Sequence, residues 1–176
     1  MIDDLGLHAI LDPVGSVRPA GSFELGLMVW PDLDLEVITP DLPRPENVVG
    51  VLRDLVLVSG VRKINYADHR DAVGGELPRG IYLGPDPEFL GVRWQVDVWF
   101  IDEDQAEERR RLTETIRDRM NDGTRRTIQQ IKQIAAASDR YHRGVSSVDI
   151  YRAVLDEGVT SMDGFVTYLA RTGREL

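Results

Sequence analysis

The chain has 176 residues, 30 Asp plus Glu against 21 Lys plus Arg, a formal net charge of −9, no Cys and 42% hydrophobic residues. The length suits one ordinary domain or a core with an appendage, and the missing cysteines exclude a small disulfide or zinc–cysteine scaffold. The acidic balance opposes binding to long nucleic acid or to an anionic membrane, since both need a basic surface.

No stretch approaches the roughly 20 apolar residues of a membrane span. The Met1-Ile2-Asp3-Asp4 start lacks the basic and apolar regions of a signal peptide. The expectation is a soluble cytoplasmic protein whose partner is a small molecule or another protein. The acidity is uneven: residues 1–103 carry 18 acidic and 8 basic side chains, and 104–176 carry 12 and 13. The first part reads as short strands punctuated by Gly and Pro, the second as almost continuous helix, so a domain boundary is expected at 103.

Residues 2–11 read as a short helix with Asp3 and Asp4 at its positive end. Residues 14–20 form an extended run, and Gly21-Ser22 opens a brief helical turn ahead of Trp30-Pro31. From Asp32 to Ile38 polar and apolar residues alternate, the period of a half-buried strand. Asp32, Asp34 and Glu36 share one face, and Leu33, Leu35 and Val37 the other.

After a loop stiffened by Pro40, Pro43 and Pro45, residues 47–58 have the pattern of an amphipathic helix. Residues 61–66 read as a strand, 68–78 as a polar loop in which Gly74-Gly75 makes a turn, and 79–83 as another strand. The segment 92–101 is the strongest strand of all, dense in β-branched and aromatic residues. Its alternation puts Gln95, Asp97, Trp99 and Ile101 on one face and Val96, Val98 and Phe100 on the other. A lone buried carboxylate is costly, so Asp97 is expected to meet a metal or a cation.

In the second part, Leu112, Ile116 and Met120 form one apolar stripe over 104–121. Arg109, Arg110, Arg111, Arg117 and Arg119 stand around it, expected to pair with Glu107, Glu108 and Glu114. Asn121-Asp122-Gly123 reads as a helix stop and Thr124 as the next cap, with Ile128, Ile131, Ile134 and Ala135 continuing the stripe. Ser147 is read as the cap of a helix reaching 156, and Ser161 as the start of a last helix to about 170.

One constellation carries chemistry. Gly21-Ser22 is followed by Gly26 four residues after the Ser, by Asp32-Leu33-Asp34 after nine intervening residues, and by Val96-Asp97-Val98 on a later strand. A Gly-Ser turn feeding a helix start offers backbone N–H groups to phosphate. Asp32 and Asp34 project to one side and, with Asp97, suit hard divalent cations. This pattern resembles the nucleotidyltransferase superfamily that includes DNA polymerase beta and the antibiotic nucleotidyltransferases, over about residues 14–101.

The resemblance implies an α/β (α+β) fold: a small mixed β-sheet flanked by helices and followed by a C-terminal helical unit. It implies Mg²⁺- or Mn²⁺-dependent transfer of a nucleoside monophosphate from a triphosphate such as ATP to a hydroxyl, with pyrophosphate released. Asp32 and Asp34 would be metal ligands, Asp97 a ligand and the base, and Gly21 and Ser22 the triphosphate cradle. The expected acceptor is a small molecule or a protein side chain, with residues 104–176 as the acceptor-side or interaction unit and Lys132 and Arg143 as pocket-lining candidates.

The pattern departs from polymerase-like members, which often carry a basic residue soon after Gly-Ser, whereas this chain has Phe23-Glu24; Glu36 adds a fourth carboxylate to the metal face. A rival reading is an interaction module like the minimal nucleotidyltransferase antitoxins, which pair with a helical toxin. Lys63, Asn65, Tyr66, Arg70 and Arg93 read as surface residues, and His8, His69 and His142 lack the spacing of zinc ligands.

Overall fold

The computed structural model describes residues 1–72, 77–141 and 144–176, so Gly74-Gly75, His142 and Arg143 lie outside the described residues. The chain divides into two units. One comprises Met1–Glu24 and Pro31–Arg111, the other Leu25–Trp30 and Leu112–Leu176.

In the first unit the elements run α1 (Leu7–Leu11), β1 (Ser16–Pro19), α2 (Gly21–Glu24), β2 (Asp32–Thr39), α3 (Pro45–Leu55), β3 (Ile64–Asp68), β4 (Ile81–Pro85), β5 (Glu88–Phe89), β6 (Val92–Arg93) and β7 (Gln95–Asp102). The helix α4 (Glu103–Arg119) follows and runs across the division. A mixed five-stranded sheet has the order β1-β2-β7-β4-β3, with β2 and β7 parallel and the other pairs antiparallel. This is the mixed α/β architecture that the motif implies.

Strand alternation decides what the sheet buries. Leu33, Leu35 and Val37 of β2, Val96, Val98 and Phe100 of β7 and Ile81 and Leu83 of β4 are fully buried, packed with Val48, Val51 and Leu55 of α3 and Leu7 and Leu11 of α1. Each such side chain contributes about 1.5–3 kcal/mol by leaving water. Asp32, Asp34 and Glu36 of β2 and Asp97 of β7 therefore stand on the opposite face.

Local bounds differ from expectation, with the strand of 79–83 at Ile81–Pro85 and the helix of 47–58 at Pro45–Leu55. The first helix begins at Leu7 because Gly6 adopts a left-handed φ of 69°, with turns before it. The long strand begins at Gln95 rather than Val92, because Val92–Arg93 folds back on Glu88–Phe89 around Leu90-Gly91, both at positive φ. The strand expected at 61–66 forms instead at Ile64–Asp68.

The second unit is helical: the end of α4, then α5 (Asp122–Ala135), α6 (Ser147–Leu155) and α7 (Met162–Arg171). The cap of α5 is Asn121, not Thr124. Its side chain accepts from Gly123 and Thr124 N–H while the Thr124 hydroxyl accepts from Asn121 N–H, so 121–123 start a helix rather than only stopping one. Ser146, one residue earlier than expected, caps α6, and Ser161 caps α7.

The core of this unit gathers Ile128, Ile131, Ala135, Ile150, Phe165 and Leu169 with Leu25 and Leu27. Leu112 and Ile134 are more than half exposed and do not join the expected stripe. Lys132, expected to line a pocket, is fully buried in this unit, its ammonium 4.9 Å from the Trp30 ring centre. Among the described residues no helix is long and apolar enough to cross a membrane.

Candidate functional site

The parallel pairing of β2 with β7 places Asp34 directly opposite Asp97 and Asp32 opposite Gln95. Facing residues on neighbouring strands point to the same side, so the sheet brings together carboxylates 63 positions apart in sequence. Asp32 is 7% exposed, and Asp34 and Asp97 are half-buried.

Helix α2 lies against this strand. Ala20 N–H donates to the Asp34 carbonyl at 3.0 Å, and Gly21 follows with φ 55°. A Cβ at position 21 would stand 2.2 Å from Asp34 Oδ2. Glycine is required here twice over, for its left-handed backbone and for its clearance. Ser22 is 6% exposed, and its Oγ makes no hydrogen bond among the described residues. Leaving a buried hydroxyl unsatisfied costs about 1–3 kcal/mol, a cost that a polar ligand at this turn would remove. Glu24 is exposed.

The protein partners of Asp97 are neutral donors rather than a cationic side chain. The Tyr82 hydroxyl donates to Oδ1 at 2.6 Å and the Gln95 amide to Oδ2 at 3.1 Å. Half-burial leaves the carboxylate in contact with water, so neutral donors suffice where full burial would demand a cation. Burial first, then the bond to Asp97 and the charges of Asp97, Asp32 and Asp34, push the Tyr82 phenol well above its ordinary range. The fields of all three aspartates thus reach one hydroxyl, which remains a donor at neutral pH.

Glu36, the fourth carboxylate, belongs to a different arrangement. It is 2% exposed and held by Arg18 from β1 at 2.6 Å and Arg109 from α4 at 2.5 Å, while Arg18 also donates to the Ala106 carbonyl. It is a buried ion-pair centre. The arginines that follow Arg109 pair locally, Arg110 and Arg111 with Glu107, as their helical spacing suggested. Arg119 instead binds Asp156 and the Leu155 carbonyl.

Lys63, Asn65 and Tyr66 are exposed, Arg70 binds Asp68, and Arg93 anchors the β5–β6 hairpin to the carbonyls of Gly60 and Asp86. Tyr82 and Gly84 were not singled out by sequence, and Gln95 was placed only on the face of Asp97. Only the register of β4 against β7 brings Tyr82 there.

Among the described residues no group of three or more His, Cys, Asp or Glu stands as a ready metal cage. The donor set nevertheless fits a hard divalent ion: carboxylates from adjacent strands on one face, with a glycine backbone pressed against one of them.

No family model and no curated protein matches the chain. Among solved structures, Cid1 poly(U) polymerase with Mg 3'-dATP bound matches at TM-score 0.61 and 17% identity, over 88% of this chain and 46% of that one. The fold is that of the nucleotidyltransferases. A further Cid1 poly(U) polymerase structure matches at TM-score 0.59 and 18% identity over 94% of this chain and 49% of that one. The GLD-2/RNP-8 complex matches at TM-score 0.53 and 16% identity, over 85% and 53%. This nucleotidyltransferase fold thus spans about half the length of the solved chains it matches.

Proposed function

We propose that the chain is a Mg²⁺-dependent nucleotidyltransferase that moves a nucleoside monophosphate from a nucleoside triphosphate to a hydroxyl of a small molecule. The observation that carries this reading is the direct pairing of Asp34 with Asp97, with the Gly21 backbone set against Asp34. Asp32, Asp34 and Asp97 would hold the metal, which when bound offsets charge on the phosphates and on the departing pyrophosphate.

Gly21 lets the chain approach the triphosphate closely, and the unsatisfied Ser22 hydroxyl is available to a phosphate oxygen. The acceptor oxygen attacks the α-phosphorus, its proton passes to Asp97, and the bond from that phosphorus to the β-phosphate bridging oxygen breaks. Residues 104–176 are proposed as the unit that serves acceptor recognition.

The test is pyrophosphate release from ATP and the other triphosphates with a panel of hydroxyl acceptors, in wild type beside Asp32→Ala and Asp97→Ala. Both variants are expected to lose about two to three orders of magnitude. Equal rates for all three proteins would sink the assignment.

A further inference from the structure

We infer that Tyr82 is the positioning residue of Asp97, seated by the clearance above Gly84 and by the Trp99 ring; this rests on the function proposed above. Tyr82 on β4 is the direct partner of Trp99 on β7, so it shares the face that carries Asp97. The two rings pack with centroids 5.1 Å apart, and His69 backs Trp99 at 5.5 Å. The phenol is therefore held at its root by an aromatic row while its hydroxyl reaches along the strand to Asp97 Oδ1.

That reach needs empty space. A Cβ on Gly84 would stand 2.2 Å from the Tyr82 hydroxyl oxygen and 2.8 Å from Cζ. Gly84 has an ordinary backbone conformation, so clearance and not flexibility is what position 84 supplies. Any side chain there drives the hydroxyl end of a rigid ring away from Asp97.

An aspartate carboxylate turns easily about its last torsion. Tyr82 on Oδ1, with the Gln95 amide at 3.1 Å from Oδ2 and 3.4 Å from Oδ1, leaves Asp97 a single orientation. Neither donor carries charge, so the carboxylate is aimed without being neutralised. Partners that orient metal-binding side chains in this way are worth about 10–100-fold in metal affinity.

The experiment measures Mn²⁺ binding calorimetrically without nucleotide, and kcat and KM for pyrophosphate release separately, in wild type, Tyr82→Phe, Gly84→Ala, the double variant and Asp97→Ala. Tyr82→Phe keeps the ring; it is expected to hold the wild-type melting midpoint, weaken Mn²⁺ about tenfold and lower kcat with little change in KM. Gly84→Ala should do the same by displacing the hydroxyl, and the double variant should bind no more weakly than the worse single, because both break one bond.

Wild-type Mn²⁺ affinity in Tyr82→Phe, with or without a lowered melting midpoint, overturns the inference if Asp97→Ala has lost affinity, and leaves the nucleotidyltransferase reading standing. Mn²⁺ binding absent alike from wild type and Asp97→Ala overturns that reading and this inference with it.

Discussion

Glu36 and Asp97 stand on the same face of one sheet, on strands that pair with each other, yet donors of opposite kinds hold them. Two guanidiniums, Arg18 and Arg109, enclose Glu36, which is 2% exposed. Asp97 is half-buried and takes a phenol and an amide. Cations cancel the charge they bind, and the resulting cluster ties β1, β2 and α4 together. Neutral donors orient a carboxylate and leave its charge to act on something else. A row of acidic residues on one strand face can therefore divide into a structural part and a chemical part, and the partners draw the division.

The largest expected effect breaks the structural side. Glu36→Ala leaves Arg18 and Arg109 without their shared counter-charge, and removing one partner of a buried ion pair costs about 3–5 kcal/mol. Urea unfolding followed by circular dichroism would read this as a large fall in midpoint. A midpoint within scatter of wild type would show that the three-residue cluster does not support the fold.

On the other side the sign reverses. Asp97→Asn keeps an oxygen for the Tyr82 hydroxyl and removes one of three neighbouring negative charges, so the metal-free variant should melt no lower than wild type. Millimolar Mg²⁺ should then raise the wild-type midpoint but not that of Asp97→Asn. An ion at about 100 times its dissociation constant adds about 2.7 kcal/mol to the stability of the state that binds it. Equal Mg²⁺ shifts in both proteins would remove Asp97 from the ion's surroundings.

Much of this division was legible in the sequence, and the remainder was not for identifiable reasons. Alternation from Asp32 to Val37 and from Gln95 to Ile101 assigned which residues line the core and which share the opposite face, because a two-residue period is a property of the strand alone. The Gly21-Ser22 pair likewise read as a turn feeding a helix start, and α2 begins there; that Gly21 meets Asp34 was not legible.

Register, by contrast, is a relation between strands. That Tyr82 would face Asp97 depends on β4 pairing with β7 at Leu83–Val98, and that Arg109 would reach Glu36 depends on a contact across 73 positions. The same limit explains why Leu25–Trp30, next to the Gly-Ser turn, packs in the helical unit and moves the division away from residue 103. The misplaced caps have a local cause: Asn121 and Ser146 each precede another capping residue type within three positions, and composition does not say which adopts the extended backbone of a cap.

The smallest expected effect is also the narrowest test of the contrast, since it compares two adjacent arginines of α4. Arg109 reaches inward to a carboxylate almost fully removed from water, whereas Arg110 pairs with the exposed Glu107 one turn away. Water and salt screen the second pair, and ordering two long side chains offsets most of what it gains. Arg110→Ala should therefore leave the urea midpoint indistinguishable from wild type, while Arg109→Ala lowers it clearly. The gap between them should persist when salt is raised from 0.05 to about 0.5 M, because Glu36 is shielded from solvent ions in a way that Glu107 is not. Equal loss from both substitutions would mean that α4 is held by the general charge of its arginines rather than by the single inward contact to Glu36.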